Sequence, residues 1–346
     1  MKKILLYINT IHRGGAERVM VNLANQLVRN GNDCILVTSF RDDWEYSLDS
    51  KVKRISLFEK PIRNYVIRNI FLVAGLRRVV KKEKPCTILS FMAEPNFRSL
   101  IACFGIRIKK VISVRNDPEK EYPVLFTKIL AKLLFRTANH IVFQTEEAKN
   151  WFPKAIQKKS SILFNPVDEI FYQTKYNGVR KGIVTTGRLV PQKNHELLIR
   201  AYSMVANELD DNLYIYGDGP LKESLIKLVQ NLNLCDRVFL PGATKNVADV
   251  IKSARLFVLS SDYEGLPNSL MEAMALGIPC LSTNCPCGGP KALLNKEYLF
   301  AKGDVLGLAT LISKTKKLFF FERNFKVDVD VFKPSNIFEK WINVLD

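Results

Sequence analysis

Glu264 and Glu272 stand eight positions apart in "SSDYEGLPNSLMEAMALG", residues 260–277, with Gly265, Pro267 and Asn268 between them. Two carboxylates beside a helix start could act as acid and base, hold a metal, or grip sugar hydroxyls. They could also be a loop charge and a charge that complements a helix dipole, a contribution of only about 0.3–1 kcal/mol. A second pair is cationic. "TTGRLVPQKNHELL" puts Arg188 and Lys193 between a strand that ends at Gly187 and the next helix. Cations at the C-terminal edge of a sheet, next to a helix N-terminus, suit a diphosphate. Solvated surface charges are the plain alternative. In "YGDGPLKESL", Gly217 and Gly219 permit a tight turn that could lie against a nucleobase or ribose, and Pro220 suits the first helical position. After "LFVLSS", Gly265 and Pro267 break the chain, so Asn268 or Ser269 is expected to cap a helix. Free N–H groups near 268–271, Leu270 included, would then face a phosphate. In "HRGGAER", Gly14 and Gly15 let backbone approach a ligand closely. The pattern is not Gly-x-Gly-x-x-Gly, which argues against a nicotinamide dehydrogenase.

The elements that must hold these residues alternate. "KKILLYI" reads as a strand. "AERVMVNLANQLVRN" has apolar residues at helical spacing, and Gly31 is placed to end it. "DCILVTSF", "CTILSF", "KKVISVR" and "HIVFQT" follow as short β-rich runs between helical segments. The second half repeats the plan with "GIVTTG", "NLYIYG", "RVFLPG", "LFVLSS" and "IPCLST". Such alternation predicts parallel sheets covered by helices. Residues 165–181 read as a linker between two nucleotide-fold-like domains, with a ligand expected in the cleft between them.

Bulk properties agree with two domains. The chain has 346 residues and is 47% apolar, enough for sizeable cores. The start "MKKILLYINT" is too short and too polar for a secretion signal, and no apolar run reaches spanning length. Seven scattered cysteines fit a reducing compartment. Cys280, Cys285 and Cys287 lie close, but no second pair at zinc spacing completes them, and no metal is expected. The net charge is +18, and residues 1–165 hold 30 Lys and Arg against 14 Asp and Glu. That asymmetry points to an anionic partner.

Taken together, "GGAER", "GRLVPQKNHELLIRAY", "LYIYGDGPLKESL", "VFLPG", "SSDYEGLPNSLMEAMALGIPCLST" and "GGPKALL" resemble the retaining glycosyltransferases of family 4. The Glu–seven residues–Glu spacing is the hallmark of that family. The resemblance implies an α/β GT-B fold, two Rossmann-like domains with parallel sheets facing across a cleft. It implies an acceptor domain over 1–168, a nucleotide-sugar domain over 169–330, and a helix over 331–346 packing back on the first. Arg188 and Lys193 look like the pair on the donor diphosphate, Glu272 like the clasp of the donor ribose, and Glu264 like the residue facing the donor sugar. Asn268, Ser269 and Leu270 would offer the helix start to the phosphate. Gly217, Gly219 and the loop after Pro241 would lie near the base. Gly14 and Gly15 look like the loop between donor phosphate and acceptor. Many members carry a His after a strand like "KKVISV". This chain has "SVRNDP", so Arg115 is taken as an acceptor or donor contact. His12 and His140 do not sit at that position.

The resemblance further implies a metal-independent enzyme without a cofactor. It would move a hexose or N-acetylhexosamine from a nucleotide sugar, UDP by family habit, to a polyprenyl-diphosphate-linked glycan in the manner of bacterial O-antigen and capsule enzymes. Residues 60–84, "KPIRNYVIRNIFLVAGLRRVVKKEK", mix apolar and basic groups and read as an amphipathic helix on an anionic membrane. The expected place is the cytoplasm, on the inner face of the bacterial membrane. A nucleotide-sugar epimerase or hydrolase of the same fold is the alternative within the fold. A nucleic-acid-binding protein is the rival from another class, but no binding module supports it, and nucleic acid is not an expected partner.

Overall fold

The computed structural model describes residues 2–12, 14–42, 45–59, 63–315 and 325–346. The chain forms two units, 1–166 with 335–346, and 167–334. Unit 1 runs β1 (Lys3–Ile8), α1 (Gly15–Arg29), β2 (Asp33–Phe40), β3 (Lys53–Phe58), α2 (Tyr65–Glu83), β4 (Thr87–Phe91) and α3 (Ala93–Ala102). It continues through β5 (Lys109–Ser113), α4 (Pro118–Glu121), α5 (Leu125–Leu134), β6 (His140–Phe143), α6 (Glu146–Asn150), α7 (Lys154–Gln157) and β7 (Ser160–Ile162). The strands form one parallel sheet in the order β3-β2-β1-β4-β5-β6-β7. Alternate residues of β1 enter two cores. Ile4, Leu6 and Ile8 meet Val19, Met20 and Leu23 of α1 on one face. Leu5 and Tyr7 meet Leu76 and Val80 of α2 on the other. This is why β1 reads as a continuous apolar run.

Unit 2 runs α8 (Glu169–Gln173), β8 (Ile183–Thr186), α9 (His195–Val205), β9 (Leu213–Tyr216), α10 (Lys222–Asn231), β10 (Val238–Gly242), α11 (Val247–Ile251) and β11 (Leu256–Leu259). Then come α12 (Asn268–Ala275), β12 (Cys280–Thr283), α13 (Gly289–Leu293), β13 (Leu299–Phe300) and α14 (Val305–Lys314). Its parallel sheet has the order β10-β9-β8-β11-β12-β13. In each sheet the order reverses beside the first strand, between β1 and β4 and between β8 and β11. In open α/β sheets that reversal leaves a crevice at the strand C-termini where ligands bind.

The last helix, α15 (Pro334–Leu345), completes unit 1. Ile337, Trp341 and Leu345 join its core, and the Trp341 ring lies 5.5 Å from that of Phe91. The hydroxyl of Thr87 donates to the Leu345 carbonyl at 3.0 Å. The chain passes from one unit to the other at Pro166 and Val167. The Val167 N–H already belongs to unit 2, donating to the Phe332 carbonyl at 2.9 Å.

Three readings need correction. The segment taken as a linker contains α8, whose start is capped by Asp168 accepting from the Ile170 N–H at 3.1 Å. The amphipathic helix begins at Tyr65, not Lys60, because Asn64 caps it by accepting from the N–H groups of Val66 and Ile67; residues 60–62 lie outside the described residues. Pro220 is not the first helical residue of α10. It sits in a turn closed by Lys222 N–H donating to the Gly219 carbonyl at 3.1 Å, and the helix starts at Lys222. No described helix is long and apolar enough to cross a membrane.

Candidate active site

The loops that flank the strand reversal of unit 2 follow β8 and β11, and side chains and backbone stitch them together. Lys193 ends a short turn, Pro191–Lys193. Asn194 then takes a left-handed backbone, φ 43°, and caps α9 by accepting from the Leu197 N–H at 3.2 Å. Its amide donates to Asp262 at 2.9 Å, and the Asp262 N–H donates to the Gln192 carbonyl at 2.8 Å. The Gln192 amide reaches the Tyr263 carbonyl at 2.9 Å, and the Ser260 hydroxyl reaches the Lys193 carbonyl at 2.9 Å. These bonds fix Lys193 opposite Glu264. Its Nζ donates to Glu264 Oε1 at 2.6 Å, and the two side chains are only 17% and 11% exposed. A largely buried ion pair therefore bridges the reversal point.

Arg188 follows Gly187 on the same loop. It is exposed and has no carboxylate partner among the described residues. The turn after β9 lies directly on this loop. Gly187 N–H donates to the Tyr216 carbonyl and Leu189 N–H to the Asp218 carbonyl, at 2.9 and 2.8 Å. A Cβ on Gly217 would stand 1.8 Å from the Gly187 carbonyl oxygen, and one on Gly219 would stand 2.5 Å from that of Leu189. Both glycines exist for this close approach. Gly217 N–H also donates to the Gly242 carbonyl at 2.9 Å, which ties in the end of β10 beside the exposed Pro241.

The start of α12 differs from its expected form. Neither Asn268 nor Ser269 caps it. Pro267 occupies the cap position, with no side-chain bond, and Asn268, Ser269 and Leu270 are the first helical residues. Proline has no side-chain acceptor, so the cap residue itself offers the first turn no side-chain bond. Met271 N–H donates to the Pro267 carbonyl at 3.3 Å, which removes residue 271 from the expected set of free donors. Glu272 lies in the second turn and is buried. The start of α13 seats against the same loop, since a Cβ on Gly289 would meet the Gly265 carbonyl oxygen at 1.8 Å.

Burial pushes the Cys285 thiol up to about 12, with the Glu264 charge adding to it. Among the described residues no cluster of three or more His, Cys, Asp or Glu could hold a metal. His195, at the start of α9, is buried and pushed down to about 4, first by burial and then by the Lys193 cation. It therefore stays neutral beside the ion pair at neutral pH.

In unit 1, Gly14 is the extended cap residue of α1, and Gly15 is the first residue of that helix. The Glu17 carboxylate folds back over Gly14, where a Cβ would meet its Oε2 at 2.0 Å. Arg115 follows β5 and is buried, its guanidinium 4.4 Å over the Phe91 ring. Its Nη2 donates to Asn165 Oδ1, which also accepts from the Gln144 amide at 2.7 Å. Nε and Nη1 find no partner among the described residues. Burial lowers the Arg115 pKa to about 9, against the opposing charges of Glu121 and Glu17. Glu121 is pushed up to about 8, chiefly by burial. Arg115 and the Gly14 turn thus share the C-terminal edge of this sheet, with Glu17 felt by both.

The sequence reading did not anticipate Gln192, Asn194 and Asp262, which position the ion pair, or Asn165 and Gln144, which hold Arg115. Only Asn194 carried a readable signal, an Asn just before a helical run.

Residues 13–170 match the model of Glycosyltransferase Family 4, and residues 167–318 match that of Glycosyl transferases group 1. The chain belongs to the family 4 glycosyltransferases. Among relatives of this glycosyltransferase is a Campylobacter jejuni enzyme, N-acetylgalactosamine-N,N'-diacetylbacillosaminyl-diphospho-undecaprenol 4-alpha-N-acetylgalactosaminyltransferase. It is 27% identical over 86% of this chain and 85% of its own. A second protein of that organism, GalNAc-alpha-(1->4)-GalNAc-alpha-(1->3)-diNAcBac-PP-undecaprenol alpha-1,4-N-acetyl-D-galactosaminyltransferase, is 24% identical over 100% and 98% of the two chains. The fold of the glycosyltransferase superposes on Anabaena HepE, solved in complex with UDP, with a TM-score of 0.81 at 16% identity over 100% and 99% of the chains. Its two parallel-sheet domains are those of the GT-B class.

Proposed function

We propose that this glycosyltransferase retains anomeric configuration and moves a hexose or N-acetylhexosamine from a UDP-sugar to a polyprenyl-diphosphate-linked glycan in surface polysaccharide synthesis. The observation that carries the donor assignment is the Lys193–Glu264 pair, held at 2.6 Å across the strand reversal of unit 2. Arg188 and the start of α12 lie on the loops that the pair joins. The names of the Campylobacter relatives support the acceptor class, and the UDP complex of HepE supports the nucleotide.

The roles follow from where charge develops. As the bond from the sugar C1 to the phosphate oxygen breaks, its electron pair moves onto the departing diphosphate. Arg188, Lys193 and the N–H groups of Ser269 and Leu270 meet that charge, and they act more strongly on the transition state than on the bound donor. The sugar becomes oxocarbenium-like, and Glu264 faces it. Glu272 holds the ribose, and the glycines at 217 and 219, with the loop after Pro241, border the base. The acceptor hydroxyl attacks from the side the diphosphate leaves and gives its proton to a phosphate oxygen of the donor. Gly14, Gly15 and Arg115 belong to the acceptor side. Two cations and a helix start supply the positive charge, so the reading includes neither a metal nor a resident cofactor. A lipid-linked acceptor places the enzyme peripherally on the inner face of the bacterial membrane.

A donor panel with a lipid-linked acceptor extract tests the reading, with product configuration read by NMR. Transfer from a UDP-sugar, with the α or β configuration of the donor kept, is expected. It should persist in excess EDTA. An inverted product, or loss in chelator that magnesium or manganese restores, overturns the mechanism. Epimerisation or hydrolysis without transfer overturns the activity.

A further inference from the structure

The helices on one face of unit 1 leave an apolar surface that no described residue covers. On and beside α5, Val124, Leu125, Phe126, Ile129 and Leu133 are all exposed, Leu125 by 73% and Phe126 by 71%. Of α5 only Ala131 is buried. The spacing 125, 126, 129, 133 puts these side chains on one helical stripe. The stripe faces outward, while Ala131 on the helix's other side is buried. Tyr122 before the helix, Phe135 at its end and Phe152 form a buried aromatic cluster, with ring centroids 5.4–6.2 Å apart. The first two turns of α2 repeat the pattern, with Val66 64%, Ile70 62% and Phe71 54% exposed. Helix α3 packs against both α2 and α5.

Topology gives these exposed ends a common place. Helices α2 and α5 return from strand C-termini in an all-parallel sheet, so their first turns lie at the sheet's C-terminal edge. Gly14 and Arg115 follow β1 and β5 at that same edge. The surroundings are basic. Residues 63–136 hold sixteen Lys and Arg against five Asp and Glu. Glu119 is neutralised by Lys128, and Glu94 by Arg98. Lys132 lies over the Trp151 ring at 4.8 Å, and Lys120 and Arg136 are exposed.

We infer that the exposed stripe of α5, with the first turns of α2, inserts into the surface of an anionic bilayer and seats unit 1 with its acceptor edge at the headgroups. Apolar side chains exposed on helices rich in cations match a surface with acyl chains below and anionic headgroups above. The inference deepens the lipid-linked acceptor reading and rests on it for the orientation. It moves the main anchor from the basic helix of residues 60–84 to α5. A purely electrostatic contact would need no exposed Phe126 or Leu125.

The test uses the full chain and flotation with phosphatidylcholine vesicles, with and without phosphatidylglycerol. Wild type is expected to float with the anionic vesicles and to remain partly bound at high salt. Leu125→Ser/Phe126→Ser should weaken that binding by about tenfold and make the remainder salt-labile. Calorimetric UDP affinity should be the same in both proteins, because neither position belongs to the donor site. Equal vesicle binding by both proteins, or none by wild type, overturns the inference. So does a dimer that the double substitution dissolves, since a second copy would then cover the face. Failure of wild type to bind UDP would strike the donor reading and leave the vesicle result standing.

Discussion

Lys193 and Glu264 are the residues whose meeting means most. Far apart in sequence, each has a bland alternative as a solvated charge, and the sequence could not choose between them. Their ion pair depends on Asn194, Asp262, Gln192 and Ser260, whose side chains and backbone are bonded across two loops. Such bonds leave no periodic trace in a sequence. Lys193→Ala and Glu272→Ala are each expected to cut transfer by roughly tenfold or more, with far-UV circular dichroism unchanged. Near-wild-type turnover in both would remove the assignment. Because Lys193 and Glu264 touch, their effects should not add. A double-mutant cycle with Glu264→Gln should show a coupling of about 0.5–3 kcal/mol, and strict additivity would mean that the pair does not act as a unit. Arg115 was legible only as a departure from a family pattern. That it is buried between Phe91 and Asn165 required the fold.

At the scale of elements, most of the sheet was legible and most of the boundaries were not. The runs at β1, β2, β4 and β5 are apolar because both faces are covered. β3 went unread, since its residues are only half-buried and carry no clean pattern. β7 and β13 have three and two residues, too few for a period to show. Helix starts failed where an unexpected residue took the cap, as Asn64 and Pro267 did. Gly217 was visible as a turn residue and Gly289 only as part of the motif "GGPKALL", but the reason only glycine fits at either is another loop's carbonyl. Gly217→Ala and Gly289→Ala each place a Cβ 1.8 Å from a backbone oxygen. Something must move, at a typical cost of about 1–3 kcal/mol. The expected outcome is a lower melting temperature together with a loss of UDP affinity larger than that of Gly303→Ala. Gly303 has a left-handed backbone, φ 77°, and open space around it. It controls for strain without a clash. Equal UDP affinities in all three would show that the seating of these loops does not shape the donor site.

At the scale of the molecule, each unit carries a titratable group that desolvation holds neutral, a histidine in one and a carboxyl in the other, and this predicts that pH loosens them in opposite directions. In unit 2, His195 is held neutral, with its pKa lowered from 6.5 to about 4. Between those values the unfolded chain binds a proton that the folded unit refuses. Stability is thus fully present above 6.5 and is lost as pH falls toward 4, by up to about 3 kcal/mol at 1.36 kcal/mol per unit. In unit 1, Glu121 is raised from 4.5 to about 8, with Tyr122, Arg115 and Asp117 around it. The folded unit keeps a proton that the unfolded chain has released, so this contribution is lost as pH rises to 8. His140, in the same unit, is lowered by burial and by Lys109. It opposes Glu121 below 6.5, which leaves pH 6.5–8 as the clean window for unit 1. Hydrogen exchange on the full chain, read over peptides from β8–β11 and from β4–β6, separates the two. Acidification from 6.5 should deprotect the first set, and alkalinisation from 6.5 to 8 the second. His195→Gln should flatten the acid response, and Glu121→Gln the alkaline one, each leaving the other unit's profile unchanged. Parallel pH profiles in the two units would mean that these groups do not govern their stability.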